Sequence, residues 1–163
     1  MTTATILLVE DEPHDAFFFG HMMTKAGIAN PLQVATDGRL ALDYLEGAGR
    51  FADRAAFPLP ILVILDLKLP RATGFEVLEQ IRRQPELRQL IVVMLTSSAS
   101  DDDIAKAYEL GANAYLVKPS KIDQLEEAGL AIKQFWLTHN RPPPMDGERL
   151  LKARDDLAAK DRL

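Results

Sequence analysis

Residues 6–12 read Ile-Leu-Leu-Val-Glu-Asp-Glu, a run of four aliphatic residues that ends abruptly in three acids. Four residues are too few for a helix, and a continuous apolar run of this length is typical of a strand that is buried on both faces of a parallel sheet. Comparable runs recur along the chain and predict four further strands. They cover residues 32–35, 61–65, 90–95 and 114–117.

Longer amphipathic segments separate the apolar runs and predict five helices. Gly27 and Gly111 follow two of them as stop signals, and Ser120 with Asp123 has the spacing of a capping box for the last one. Five strands alternating with five helices predict an α/β fold, a flavodoxin-like (βα)5 three-layer sandwich with a five-stranded parallel sheet. The helices are predicted over residues 15–26, 38–45, 74–83, 101–110 and 122–137.

The length of 163 residues suits one domain with a short appendage. We place the compact domain at residues 1–139, because residues 142–144 are all proline and interrupt the chain soon afterwards. Residues 140–163 are then a C-terminal extension, in which a proline-rich linker leads away from the domain to a short amphipathic helix. The apolar face of that helix carries Leu150, Ala153 and Leu157.

Composition and charge exclude several classes of function. With 47% hydrophobic and 26% charged residues, the chain can bury a sizeable core and is not disordered throughout. A formal net charge of −5 argues against a general attraction to nucleic acid or to anionic membranes. The absence of cysteine excludes disulfides, thiolate zinc sites and thiol catalysis. No apolar segment approaches the ~18 to 20 residues that span a bilayer, and no targeting signal is evident, so we expect a cytoplasmic protein.

Polar side chains with complementary chemistry follow four of the predicted strands. Glu10 and Asp11 follow the first strand, Asp66 the third, Thr96 the fourth and Lys118 the fifth. Because the carboxyl ends of parallel strands face a common crevice, we expect these side chains to converge there. Three carboxylates at one edge would repel each other unless a hard cation lay among them, and Mg²⁺ prefers such oxygen ligands. The sequence therefore predicts a Mg²⁺ site at this edge.

The same residue types suit phosphoryl transfer. Beside a metal ion, the Asp66 carboxylate can attack phosphorus and form an acyl phosphate. Lys118 and the metal would offset charge on the phosphoryl oxygens, and the Thr96 hydroxyl could donate to one of them. Singly, an aspartate after a strand is more often a turn residue, and a Lys-Pro pair is more often a solvated loop. Their joint occurrence at four strand ends favours a functional site.

Four stretches carry a recognisable pattern. They are residues 6–12, residues 64–70 (Ile-Leu-Asp-Leu-Lys-Leu-Pro) with Gly74, residues 95–97 (Leu-Thr-Ser) and residues 111–119 (Gly-Ala-Asn-Ala-Tyr-Leu-Val-Lys-Pro). With these stretches, the chain resembles the receiver domain of two-component response regulators from about residue 5 to residue 137. In that family the carboxyl ends of the strands hold the phosphorylation site, as the polar residues suggest here.

The resemblance implies a metal-binding and phosphoacceptor set. Glu10 and Asp11 would be the acidic pair, and Asp66 would accept the phosphoryl group. Lys68 would offer its backbone carbonyl to the metal, as the residue two places after the acceptor does in the family. Two positions depart from the common pattern of the family, since Glu10 stands where Asp is frequent and Lys68 stands where Asn or Met is common. A contact of the Lys68 side chain with the phosphoryl group or the acidic pair would change the lifetime of the phosphate.

The resemblance also implies a conformational switch. Thr96 would be the switch hydroxyl, Tyr115 the switch aromatic and Lys118 the lysine that the family keeps at this position. The peptide bond after that lysine is usually cis in the family, so the bond between Lys118 and Pro119 is a candidate for the cis form.

Such a protein accepts a phosphoryl group from a sensor histidine kinase or a phosphotransfer protein, and it catalyses only its own phosphorylation and dephosphorylation. It is therefore not an enzyme in the usual sense. The long loop at residues 46–60, the run at residues 66–71 and the basic, proline-rich tail are similar to single-domain regulators encoded with bacterial phytochromes. Too few residues follow residue 139 for an output domain, so we expect output through protein contacts.

Three alternatives compete with this interpretation. A flavodoxin-like cofactor protein shares the element order, but the acids of residues 10–12 would repel a phosphate from the first loop. A phosphatase with an aspartate nucleophile would need a helper acid two residues after Asp66, where Lys68 stands. A phosphorylation-independent interaction module stays open, although the intact site argues against it.

Two surfaces are candidates for contacts with partners. Residues 17–19 are all phenylalanine, and spacings of four place Phe18 in the core with Met22 and Ala26. Phe17 would face outward near the site, where kinases of this class dock. The C-terminal segment would support a homodimer, to which the fourth and fifth helices contribute. Apolar residues on the latter are Leu130, Phe135 and Leu137.

Overall fold

A computed structural model of the protein describes residues 4–144. Five strands alternate with five α-helices, as the apolar runs predict. The C-terminal helix predicted within residues 146–163 lies outside the described residues. The elements are β1 Ile6–Val9, α1 Pro13–Lys25, β2 Leu32–Ala35, α2 Gly38–Glu46, β3 Leu62–Leu65, α3 Gly74–Arg83, β4 Val92–Thr96, α4 Asp101–Glu109, β5 Ala114–Val117 and α5 Ile122–Ile132, which continues as a π-helical stretch, Lys133–His139.

All five strands form one parallel sheet in the order β2-β1-β3-β4-β5. In this register Val9 at the end of β1 lies beside Ala35 of β2 and Leu65 of β3. Thr96 at the end of β4 lies beside Val117 of β5. The residues that follow these strands therefore emerge along one edge of the sheet. The predicted flavodoxin-like three-layer sandwich is confirmed.

Helices cover both faces of the sheet, which is why the strands are apolar throughout. Leu7 and Val9 point to the face covered by α2, α3 and α4, where they join a buried cluster with Tyr44. Ile6 and Leu8 alternate to the face covered by α1 and α5. Each of these four β1 residues is at most 2% exposed. Among residues 4–144, no helix has the length and apolar character that a membrane crossing needs.

The predicted core stripe of α1 is wrong by one residue. Phe19, Met22 and Met23 are buried, whereas Phe18 is 45% exposed and Phe17 is 70% exposed. Spacings of three and four from Phe19 reach Met22, Met23 and Ala26, and this stripe faces the sheet. Phe18 therefore lies at the edge of the helix interface, where its ring meets Phe17 edge to face.

The predicted capping box of α5 does not form. This helix begins at Ile122 after Lys121, so Ser120 lies one residue too early to cap it. A capping box is present at α3 instead, where the Thr73 hydroxyl accepts from the Glu76 N–H and the Glu76 carboxylate accepts from the Thr73 N–H. Beyond α5, Pro142 and Pro143 line a cavity with Ala4, Pro60 and Ile61, so the chain lies against the domain as far as these residues. The helix to which the predicted linker leads lies outside the described residues.

The long segment between α2 and β3 is tied to the end of α2. The Arg54 guanidinium donates to the backbone carbonyls of Tyr44, Leu45 and Phe57, at 2.7, 2.5 and 3.1 Å. The Tyr44 hydroxyl donates to the Pro58 carbonyl at 2.8 Å. The segment is therefore an ordered part of the domain.

Candidate functional site

Glu10 and Asp66, which directly follow β1 and β3, are buried at the carboxyl edge of the sheet. Glu10 is 3% exposed and Asp66 is 7% exposed. The Glu10 carboxylate accepts from the backbone N–H of Glu12 at 3.0 Å, and the Asp66 carboxylate accepts from the N–H of Leu67 at 2.7 Å. One oxygen of each carboxylate thus accepts from the backbone of its own loop, and the other oxygen faces the crevice.

The second oxygen of each acid accepts a hydrogen bond from Lys118. The Lys118 Nζ lies 2.6 Å from Glu10 Oε2 and 2.7 Å from Asp66 Oδ2. The Lys118 N–H also donates to the Thr96 carbonyl at 2.7 Å, which fixes the backbone of this lysine beside the end of β4. Four strand ends therefore meet as the sequence predicts.

A third carboxylate, that of Asp15 in the first turn of α1, also contacts this ammonium, with Oδ2 2.8 Å from Nζ. Burial alone would lower the pKa of Lys118, but hydrogen bonds to Asp15, Asp66 and Glu10 outweigh it, and the pKa lies well above its ordinary value. Asp15 is a site residue that the strand-end pattern does not predict. The available signal was an acid four residues after Asp11 on the helix that leaves the site.

Glu10, Asp11 and Asp66 form a cluster of oxygen ligands. One carboxylate oxygen from each lies within 4.8 Å of the others. Asp11 is exposed, and it lines an open cleft together with Lys68 and Pro70. Burial raises the pKa of Glu10, while the Lys118 hydrogen bond acts in the opposite direction. Carboxylate oxygens partly open to water fit a hard divalent cation that keeps several of its waters.

Gly74 lets α3 begin directly against the Asp66 loop. A Cβ at this position would collide with the Asp66 carbonyl oxygen and would lie 2.8 Å from the Leu67 Cα. The Gly74 N–H donates to the Leu67 carbonyl at 2.9 Å. This close approach explains why residue 74 is a glycine. The hydrogen bond to Leu67 holds the backbone that follows Asp66 in place.

The two predicted switch residues flank the loop after β4. Thr96 is fully buried, and its hydroxyl accepts from the Ser98 N–H at 3.4 Å. The half-buried Tyr115 donates its hydroxyl proton to the Ser98 carbonyl at 3.0 Å. Burial raises the pKa of the Tyr115 phenol above its ordinary value. The Ser98 hydroxyl in turn donates to Asp103 of α4 at 2.6 Å.

The predicted cis bond after Lys118 is wrong for this structure. Every peptide bond within the described part of the chain is trans, including the one between Lys118 and Pro119. The trans form of a bond before proline is favoured by about 0.5–1 kcal/mol, and the Lys118 contacts described above are made with it.

A cleft beside the carboxylates opens between α1 and the start of α5. Asp15, Phe18, Lys118 and Pro119 contribute to its lining. The exposed side chains of Ile122 and Phe18 give this lining an apolar character, and the Phe17 ring packs edge to face against Phe18. Single exposed apolar residues are common on protein surfaces, but several around one charged cleft are typical of a contact site.

A family model for the response regulator receiver domain matches residues 6–129. The probable methanogenesis regulatory protein FilR2 of Methanothrix harundinacea is 43% identical over 141 residues, covering 85% of this chain and 86% of that protein. Response regulator Rcp1 of Synechocystis sp. is 36% identical over 132 residues, covering 81% of this chain and 88% of that protein.

Solved structures agree with these matches. The Mn²⁺-bound form of Rcp1 superimposes with a TM-score of 0.78 at 35% identity, covering 86% of this chain and 99% of that structure. Response regulator RPA3017 in red light signalling of R. palustris superimposes with a TM-score of 0.82 at 38% identity, with the same coverage of 86% and 99%. The fold thus has counterparts among known response regulators.

Proposed function

The chain belongs to the response regulator receiver family and is similar to solved phytochrome response regulators, and on this basis we propose that Asp66 accepts a phosphoryl group from a sensor histidine kinase or a phosphotransfer protein. One observation carries the proposal. Oδ2 of the buried Asp66 carboxylate lies 2.7 Å from the Lys118 Nζ, and Asp66 forms a cluster of oxygen ligands with Glu10 and Asp11.

The proposed reaction is a transfer from nitrogen to oxygen. An Asp66 carboxylate oxygen attacks the phosphorus of a phosphohistidine, so an O–P bond forms while the P–N bond breaks and its electron pair returns to the imidazole nitrogen. Lys118 donates to a phosphoryl oxygen as negative charge arrives, and the Thr96 hydroxyl donates to another. The protein thus promotes its own phosphorylation and dephosphorylation, and it acts as a regulator.

Mg²⁺ is the proposed cofactor. The carboxylates of Glu10, Asp11 and Asp66 would hold it, with the backbone carbonyl of Lys68 as a further oxygen ligand. When bound, the ion neutralises charge on the phosphoryl oxygens. The Mn²⁺-bound form of the relative Rcp1 supports a divalent cation here.

Thr96 and Tyr115 are the proposed switch. Phosphorylation would draw the Thr96 hydroxyl inward and free space for the Tyr115 ring to rotate, which alters the surface of α4, β5 and α5. The bond from Tyr115 to the Ser98 carbonyl supports this, because it couples the ring to the loop that follows Thr96. If both side chains kept their positions in a structure with bound beryllofluoride, this coupling would be refuted.

Labelling with acetyl phosphate and MgCl₂ tests the proposal. Intact mass spectrometry should show a gain of one phosphoryl group in the wild-type protein and none in Asp66→Asn, which keeps the shape of the side chain but lacks the nucleophilic carboxylate. Asp43→Asn is the matched control, because Asp43 lies on α2 and pairs with Arg39 at 2.7 Å. Labelling of Asp66→Asn at the wild-type rate would rule out the assignment.

The partners follow from the family and from the surfaces. The cognate kinase would be a bacteriophytochrome or a related sensor, as the red-light relative suggests. We place the receiver domain at residues 1–139 in the cytoplasm and expect no nucleic-acid partner, because the net charge is −5.

A homodimer is the expected assembly. Leu130 and Phe135 are 47% and 54% exposed and are available for it, whereas Leu137 packs against the core. Relative to the mass of its own monomer, the full chain should appear larger in light scattering than a chain ending at His139 at the same concentration, because the C-terminal segment assists the dimer. The same mass ratio for both chains at every concentration would show that this segment does not hold two copies together.

A further inference from the structure

The Lys118 ammonium has all three of its hydrogens engaged. They point to carboxylate oxygens of Glu10, Asp15 and Asp66 at 2.6, 2.8 and 2.7 Å. An ammonium carries three donors and no acceptor, so these three carboxylates saturate it. Glu10 and Asp66 come from the strand ends, but Asp15 comes from the first turn of α1.

The three carboxylates differ in burial. In side-chain exposure, Glu10 is at 4%, Asp66 at 9% and Asp15 at 43%, with Lys118 between them at 18%. Asp15 therefore lies at the rim and closes the solvent side of the ammonium. Without it, the third N–H would face water, and the flexible four-carbon stem of Lys118 would be held on the inner side alone.

We infer that Asp15 is a positioning residue for phosphoryl transfer at Asp66, which it serves by holding the Lys118 ammonium in place from the side of α1. This inference rests on the proposed function of Asp66. During transfer, the N–H that now points to Asp66 turns to a phosphoryl oxygen, while the bonds to Glu10 and Asp15 keep the ammonium at the site. Glu10 is also a proposed metal ligand, so Asp15 is the one carboxylate of the three with no second task.

Two variants of Asp15 and one control test the inference on the full chain. Asp15→Asn keeps an acceptor oxygen but removes the charge, and Asp15→Ala removes both. We expect acetyl phosphate labelling with MgCl₂ to slow by about two- to fivefold in Asp15→Asn, the range expected for a partly exposed ion pair, and by more in Asp15→Ala. The control is Asp101→Asn, an exposed acid in the first turn of α4.

A second readout follows Lys118 in the unphosphorylated protein. In NMR spectra of protein labelled with ¹⁵N-lysine, the Lys118 ammonium signal is identified as the one that is missing from the spectrum of the Lys118→Arg variant. It should be visible in the wild-type protein and in Asp101→Asn, and it should broaden through faster hydrogen exchange in both Asp15 variants, at unchanged thermal midpoints relative to the control.

The outcomes separate this inference from the proposed function. An unchanged ammonium signal and labelling rate in Asp15→Asn would overturn the positioning role. Faster labelling in Asp15→Asn would also overturn it, because Asp15 would then compete with the phosphoryl group for Lys118. A wild-type protein that takes no label would refute the function of Asp66 instead, and the NMR spectra would still report whether Asp15 holds Lys118.

Discussion

Glu10, Asp11, Asp15 and Asp66 bring four carboxylates to the neighbourhood of one ammonium, that of Lys118. Two like charges 4 Å apart repel each other by about 4 kcal/mol at the effective dielectric near a protein surface. Lys118 relieves part of this repulsion, but negative charge stays in excess. The site is therefore assembled at the expense of stability, which is common where residues serve a reaction.

Asp11→Asn should stabilise the protein in the presence of a chelator. Asp11 lies in the oxygen cluster but is exposed, so its removal relieves repulsion without leaving a buried gap. We expect the thermal midpoint to rise by about 1–4 °C. Addition of MgCl₂ should raise the midpoint of the wild-type protein and leave that of Asp11→Asn nearly unchanged, as circular dichroism would measure.

Glu12→Gln is the control for this experiment, because Glu12 is an exposed acid of the same loop outside the cluster of three. Its response to MgCl₂ should match that of the wild-type protein. A midpoint of Asp11→Asn that falls in chelator and still rises with MgCl₂ would contradict the proposed metal site.

The convergence of the strand-end residues could be predicted from the sequence, because the ends of parallel strands lie along one edge of the sheet. Once β1, β3 and β5 are strands of one sheet, Glu10, Asp66 and Lys118 must emerge at the same edge. Asp15 could not be predicted in this way, since its contact depends on how α1 packs against the sheet. The same dependence explains the error at Phe18, whose burial is decided by a small rotation of the helix.

Arg54 organises the segment between α2 and β3. Its bonds to the Tyr44 and Leu45 carbonyls add a charged donor at the C-terminal end of α2, where a cation is favoured. Rings of Tyr44, Phe51 and Phe57 pack together beneath it, with centroids 5.1–6.1 Å apart. This segment is thus fixed from two directions.

Arg54→Ala should destabilise the domain and loosen residues 47–60. Three backbone carbonyls would lose a charged donor, and hydrogen bonds to charged groups contribute about 1.5–3 kcal/mol each. We expect the thermal midpoint to fall by about 10 °C or more. Limited proteolysis should cut this segment first.

Arg50→Ala is the matched control, because Arg50 lies on the same segment and is exposed over the Phe51 ring at 4.7 Å. It should shift the midpoint by less than a third as much. Equal effects of the two substitutions would show that the carbonyl contacts of Arg54 are unimportant.

The presence of the strands and helices was predicted from the sequence more accurately than the residues that cap the helices. Five apolar runs predicted five strands, because only a sheet covered on both faces accepts such runs. Capping was less predictable, since the pattern of a hydroxyl three residues before an acid occurs at positions that include Thr73, Ser100 and Ser120. The hydroxyl caps a helix at Thr73 and at Ser100, where the backbone enters α3 and α4 at the required residue, but it does not cap α5 from Ser120.

The face formed by α1 and the start of α5 carries the exposed aromatic and aliphatic side chains around the cleft that leads to Lys118. An apolar rim around a charged centre is the arrangement in which a few aromatic residues dominate binding.

Phe17→Ala should slow phosphoryl transfer from the cognate kinase by about tenfold, as expected for an interface aromatic, and leave acetyl phosphate labelling unchanged. The side chain is 70% exposed, so its removal should not disturb folding. Tyr108→Ala serves as the control, since Tyr108 is a comparably exposed aromatic on α4. Wild-type transfer rates in Phe17→Ala with a folded protein would make Phe17 an ordinary surface residue.

The position of the acyl phosphate tests the central claim most directly. The protein is phosphorylated with acetyl phosphate and MgCl₂ and reduced with borohydride, which converts a phosphorylated aspartate to homoserine, and the peptides are then sequenced by mass spectrometry. We predict homoserine at residue 66, where the buried carboxylate meets the Lys118 ammonium. A reduced residue at Asp11 or Asp15, with residue 66 unaltered, would contradict the account.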